Sequence, residues 1–293
     1  MSRPSSFSPP AGVLPRVLAT SRGDFAVLDA EGADGRPRGT ALLLPGYMGS
    51  KEDFLDLMLP LAARGYRTVA VDGRGQYQTD GPRNDESPYA QGELVRDVLA
   101  QREALSGAGP LHLLGHSFGG LVARAAVLAA PGAFASLTLM ASGPAGISAP
   151  QQQRVALLRE ALGSLDMARV WEAMQSMEAP PPEDAGPATA EDGARAAALR
   201  TRWLRTSPAQ IVAAGRQLCV EADRVAELAA LDLPRHVLSG ERDDTWPVPL
   251  MDDMAVRMGA RRTVVAGAEH SPNVERPGPT AAALADFWDA VPG

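Results

Sequence analysis

The chain has 293 residues, of which 45% are hydrophobic and 22% charged, with a formal net charge of −7. That length builds a full hydrophobic core without covalent staples, and an acidic balance with no basic tract excludes nucleic acid as the main partner. The single cysteine, Cys219, excludes an internal disulfide and fits a reducing, cytoplasmic location.

The opening "MSRPSSFSPPAG" lacks the apolar stretch of a secretory signal, and its first twelve residues read as a disordered tail. "VLPRVLA" and "DFAVLDA" are short edge-strand candidates, expected to pair antiparallel, the first weakened by Pro15. "TALLLPG" (40–46) is apolar throughout, as a strand covered on both faces must be. From Lys51 to Arg64, Phe54, Leu55, Met58, Leu61 and Ala62 recur at helical spacing, and Gly65 is a natural stop. "YRTVAVDG" is a strand, a helix follows from about Tyr89 to Leu105, and "PLHLLGH" (110–116) is a strand again.

The run Phe118 to Ser142 carries one charge, Arg124, but Pro131 and Gly132 divide it into a helix and a strand. It reads as buried core, and no membrane span is expected. After residue 233 the alternation resumes with "RHVLSG", a helix over Val248–Met258, "RTVVAG" and a closing helix over Thr280–Ala290. Alternating strands and helices joined by short connections predict an α/β fold. Its sheet is mostly parallel and eight-stranded, flanked by helices, with any active site beyond the carboxyl ends of the strands. The stretch 150–230 is helical and holds the Pro-rich acidic loop "EAPPPEDAGPATAED". It is expected to form a helical cap inserted into a core made of 13–149 and 231–293.

The most informative stretch is "LLGHSFGG" (113–120), an aliphatic strand that ends in a serine flanked by glycines. A phosphate-binding loop would need a lysine after the last glycine or a Gly-x-Gly-x-x-Gly pattern, and neither is present. Gly115-His116-Ser117-Phe118-Gly119 instead has the Gly-x-Ser-x-Gly form, set between a strand and a helix as a nucleophile turn requires. Ser117 is therefore the candidate nucleophile, and the N–H of Phe118 a candidate oxyanion donor.

These motifs, together with "LLLPGYMGSKEDF", "VAVDGRG", "SGERDD" and "AGAEHSPNVERP" in that order, resemble the α/β-hydrolase superfamily from about residue 24 to the end. The resemblance implies a serine hydrolase that needs no cofactor. A serine needs a base, and of four histidines His270 follows the last strand and matches the family's base position. His112, His116 and His236 read as structural. The family pattern puts the acid three residues after Gly240, which selects Asp243, with Asp244 as the neighbouring alternative. The second oxyanion donor implied by the family is the N–H of Tyr47, although the usual His-Gly of that loop is here Pro45-Gly46. Tyr47, Met48, Tyr77, Trp171, Met174 and Trp203 are the candidate pocket residues. Asp72 and Arg74 are expected to stabilise loops.

The expected reaction is cleavage of an ester, thioester or lactone of a small, largely apolar molecule through Ser117, His270 and Asp243. No His or Cys cluster calls for a metal. The serine in the turn argues against the family's epoxide hydrolases and dehalogenases, which place aspartate there. C–C bond or amide hydrolysis, acyl transfer, and a small-molecule receptor that retains the three residues are the alternatives.

Overall fold

Strands β1 (Leu14–Thr20) and β2 (Gly23–Ala30) form an antiparallel hairpin in the computed structural model, which describes residues 2–32, 37–105, 107, 109–177 and 189–292. Pro15 is tolerated because β1 lies at the edge of the sheet, where Leu14 and Val17 face solvent. β2 also runs antiparallel to its other neighbour, β4 (Tyr66–Val71). The remaining pairs are parallel. With β3 (Gly39–Leu44), β5 (Leu111–His116), β6 (Ser136–Met140), β7 (Arg235–Gly240) and β8 (Arg261–Val265), the order is β1-β2-β4-β3-β5-β6-β7-β8.

The continuous aliphatic runs have a direct cause. Side chains alternate between the two faces of a strand, and both faces of the central strands are covered. Leu42, Leu44, Leu113 and Val237 enter one core with α2 (Gln91–Ala104), α3 (Phe118–Ala129) and α9 (Val248–Met258). Ala41, Leu43, Leu114 and Leu238 enter the other with α1 (Leu55–Ala63) and α11 (Pro277–Trp288). A short 3₁₀ turn, Lys51–Phe54, precedes α1, and α10 (Pro272–Glu275) precedes α11. Truncating a residue such as Leu42, which is completely buried, would cost about 2–5 kcal/mol.

Between β6 and β7 the chain makes α4 (Ala149–Ser164), α5 (Met167–Ser176), α6 (Ala190–Arg205), α7 (Pro208–Val220) and α8 (Val225–Ala229). Met167, Val170, Trp171, Leu199, Trp203 and Ile211 make the insertion's own core. The inserted helices do not all stand clear of the sheet, however. Val225 and Leu228 of α8 join the core with α3 and α9. Most of the Pro-rich acidic loop, residues 178–188, lies outside the described residues, and its last three residues already belong to α6.

The N-terminal segment departs from the expectation of a disordered tail. Ser5 Oγ donates to Asp56 of α1, and Phe7 packs on the core of the inserted helices. The segment is short of apolar residues, but Phe7 meets apolar partners far away in the chain. No helix among the described residues is long and apolar enough to cross a membrane.

Candidate active site

β5 ends in a turn so sharp that Ser117 takes φ 53° and ψ −117° before α3 begins at Phe118. A non-glycine residue there carries backbone strain, held by bonds on both sides. Ser117 N–H donates to the Met140 carbonyl at 2.8 Å, and the Ser117 carbonyl accepts from Gly120 N–H at 2.9 Å. The glycines make room for the turn. A Cβ on Gly119 would lie 2.6 Å from the Pro45 carbonyl oxygen, and one on Gly115 would run into the backbone of Gly119.

The side chain of Ser117 meets two others from the same edge of the sheet. Its Oγ lies 3.0 Å from His270 Nε2, and His270 Nδ1 lies 2.8 Å from Asp243 Oδ2. Asp243 stands three residues beyond β7 and His270 five beyond β8, so loops at the carboxyl ends of three parallel strands converge. The Asp243 side chain is 0% exposed, and its other oxygen accepts the N–H groups of Thr245 (2.8 Å) and Trp246 (3.1 Å). One oxygen is thus anchored by backbone and the other is left for the imidazole. Asp244 is 66% exposed and faces Gln151 and Arg154 instead.

The other histidines serve packing. His112 pairs with Ser136 Oγ at 2.8 Å and stacks on Trp288, while His236 pairs with Thr263 Oγ1 at 2.9 Å against Phe287. His116 also holds a loop. Burial, reinforced by the nearby His270, pushes it down to about 3, so the ring is neutral and Nε2–H donates to the His270 carbonyl at 2.8 Å. It ties the His270 loop to the turn that carries Ser117.

The loop after β3 closes against Ser117, with Gly46 near enough that a Cβ on it would be 3.2 Å from the Ser117 Cβ. Gly46 and Gly49 close a turn through a 3.1 Å bond from Gly49 N–H to Gly46 O, with Met48 at φ 57° in its third position. Among the described residues the Tyr47 N–H donates to no protein acceptor. Phe118 N–H, at the first position of α3, has no intrahelical partner. These two amides lie on the two segments that meet at Ser117.

Of the six candidate pocket residues, Tyr47, Met48, Trp171, Met174 and Trp203 belong to one apolar cluster. Tyr77 borders it, edge-on to Phe7 at 6.3 Å, with the Lys51 ammonium 4.8 Å from its ring. The half-buried Tyr47 ring packs toward α7, and desolvation there, more than the nearby Cys219, raises its phenol above the ordinary range. A polar cleft of about 540 Å³ opens beside Asp243 and His270, bordered by Ser2, Arg154 and Arg242. As expected, Asp72 and Arg74 stabilise loops: Asp72 accepts from Lys51 Nζ at 2.7 Å, and Arg74 grips Asp97 with two bonds. Among the described residues no three His, Cys, Asp or Glu side chains cluster as a metal site.

Phe7, Gln76, Arg202 and Trp246 did not stand out in the sequence. Arg202 of α6 bonds Asp53, Ser50 and the Ser2 carbonyl, and Trp246 supplies one of the amides that hold Asp243. A polar residue acquires such a role from a partner 149 positions away, as with Arg202 and Asp53, and no local pattern announces it.

Residues 41–283 match the sequence profile described as the Alpha/beta hydrolase family. A pimeloyl-[acyl-carrier protein] methyl ester esterase of Edwardsiella ictaluri is 29% identical over 262 residues, spanning 85% of this chain and 92% of that protein. A solved hydrolase from Pseudomonas aeruginosa is 26% identical with a TM-score of 0.71, covering 96% of this chain and 100% of its own. A carboxylesterase structure from Nitrososphaera gargenis, at 20% identity, shares the fold with a TM-score of 0.73 over 94% of this chain and 98% of its own.

Proposed function

Because the chain belongs to the alpha/beta hydrolase family, we propose that it is a serine hydrolase acting on an ester, thioester or lactone of a small, largely apolar molecule. The observation that carries this reading is the unbroken hydrogen-bonded series from Ser117 through His270 to the buried Asp243. The bond to Asp243 keeps the proton on Nδ1 and leaves Nε2 free to take the one on Ser117. Ser117 Oγ attacks the carbonyl carbon while His270 Nε2 accepts its proton, and the Asp243 carboxylate stabilises the resulting cation.

The Tyr47 and Phe118 amides receive the oxygen that becomes negative. Each such donor is worth roughly 10²–10³ in turnover. Collapse of the tetrahedral species expels the alcohol or thiol, protonated by His270. Water activated by His270 then releases the acid and restores Ser117. The inserted helices α4 to α7 act as a cap, and Tyr47 and Met48, on the loop that closes against Ser117, pack against their apolar cluster. The ester preference is supported by the esterase named among the relatives.

A series of chromogenic esters of increasing acyl length, run on wild type and Ser117→Ala, tests the reading. Wild type is expected to turn over the short and medium esters and to be labelled by a fluorophosphonate, and the variant to do neither. Turnover that survives in Ser117→Ala would remove the serine from the mechanism. Ligand-induced stabilisation of wild type with no turnover and no labelling would favour a receptor.

A further inference from the structure

The loop that carries the Tyr47 amide has a turn bond of its own, from Gly49 N–H to the Gly46 carbonyl, but little else in its sequence to fix it. Pro45 has no N–H, and Gly46 has no side chain and tolerates either sign of φ, so the Gly46–Tyr47 peptide plane is intrinsically free to rotate. A second bond, from outside the loop, joins the one from Gly49. Gln76, in the loop after β4 and only 4% exposed, reaches across to it. Its Oε1 accepts Gly73 N–H at 2.9 Å, which identifies the other end of the amide as the donor, and Nε2 donates to the Gly46 carbonyl at 3.1 Å. The backbone of Gln76 is itself pinned, by Gln76 N–H to the Gly73 carbonyl and Thr79 N–H to the Gln76 carbonyl, both at 2.9 Å.

A trans peptide is planar, with its carbonyl and N–H on opposite sides. The Gly46 carbonyl and the Tyr47 N–H belong to the same peptide. Gln76 Nε2 and Gly49 N–H together hold the carbonyl from one side, so the Tyr47 N–H must point to the other. The geometry points to Gln76 as a positioning residue that aims the Tyr47 N–H at the oxygen of the tetrahedral intermediate. This rests on the proposed reading of that amide as an oxyanion donor. Gln76 touches no substrate; it works through the peptide it holds.

Two variants test it. Gln76→Leu keeps the bulk and removes the donor. Gln76→Glu keeps the acceptor for Gly73 N–H but sets a carboxylate oxygen against the Gly46 carbonyl. Both are expected to lower kcat by ~10–100-fold, somewhat less than outright loss of a donor, with KM unchanged and Gln76→Glu the worse. Affinity for an alkyl boronic acid, which becomes tetrahedral on Ser117, should fall in parallel with kcat/KM, whereas affinity for the product acid should not. Unchanged kcat and boronate affinity in both variants would overturn the assignment, as would equal losses for boronate and product.

A direct readout stands beside the kinetics. The chain has four tyrosines, so selective ¹⁵N-tyrosine labelling leaves four amide signals, and the one missing in Tyr47→Phe is the Tyr47 amide. Its proton should move downfield when boronate binds wild type, and that shift should be lost in either variant that folds. A shift retained in the variants would overturn the role of Gln76 alone. Boronate bound to wild type with no Tyr47 shift would instead remove Tyr47 as a donor, and no boronate binding would remove the hydrolase reading; in either case the role of Gln76 falls with it.

Discussion

The guanidinium of Arg202 on α6 donates to the Asp53 carboxylate at 2.8 Å, and neither side chain is exposed. Asp53 in turn accepts Ser50 N–H at 3.1 Å, and its backbone carbonyl accepts from the Asn273 side chain at 2.7 Å. One ion pair therefore links the inserted helices to the turn after β3 and to the segment after His270. Burial pushes the Asp53 carboxyl up, and Arg202 opposes that push. Arg202→Met would leave a buried charge without its partner, at a cost of about 3–5 kcal/mol. The double variant with Asp53→Leu should recover much of that loss. Urea denaturation of the three proteins measures both, and a single variant as stable as wild type would contradict the pairing.

Asp243 and Asp244 are adjacent in sequence and opposite in environment. Asp243→Asn should lower kcat by about 10⁴-fold with little change in KM, because the imidazole loses both its tautomer and the partner of its cation. Asp244→Asn, whose side chain bonds Gln151, Arg154 and Thr245, should stay close to wild type. Initial rates on one ester distinguish them, and equal losses would reassign the acid.

His236 provides a test of stability against pH. Burial, with help from Arg261 and Arg262, pushes it down to about 3, whereas the unfolded chain protonates near 6.5. The folded state therefore binds fewer protons between those values. The contribution of His236 is fully present above about pH 6.5 and is lost as pH falls toward its folded value. In His236→Gln the decline between pH 6 and pH 4 should be shallower than in wild type by about 1.4 kcal/mol per pH unit. Urea midpoints across that range provide the comparison, and parallel curves would refute it.

The glycines make opposite predictions according to their surroundings. Gly119→Ala places a methyl 2.6 Å from the Pro45 carbonyl oxygen, with backbone on both sides and no flexible chain end to yield. It should abolish activity and fluorophosphonate labelling, and lower the Tm by many degrees. Gly163, exposed in α4, would place its Cβ in open space. Gly163→Ala should keep full activity and gain roughly 0.5–1 kcal/mol from helix propensity. Thermal melts with activity assays check both substitutions.

The strands were readable because each is a short aliphatic run bounded by turn residues, and the burial of both faces in the structure explains why those runs do not alternate. The serine turn was readable because its sterics are local: glycines two before and two after the serine meet backbone a few residues away or in the next strand. The N-terminal segment misleads for the converse reason. Its composition is that of a tail, but Phe7 lies beside Tyr77 and under the guanidinium of Arg202. Those partners come from loops and helices that only the completed fold brings near.

The sequence by itself determined the order of strands and helices, the position of Ser117 at a strand end, and the two loops that carry Asp243 and His270. Those features depend on hydrophobic periodicity and on turn sterics, which act over a few residues. Only the tertiary structure decided which backbone amides anchor Asp243, that Gln76 holds the Gly46 carbonyl, and that Arg202 pairs with Asp53. Hydrogen bonds and buried ion pairs depend on distance and direction to within fractions of an ångström, and that information arises when the sheet closes and brings separate loops to one edge.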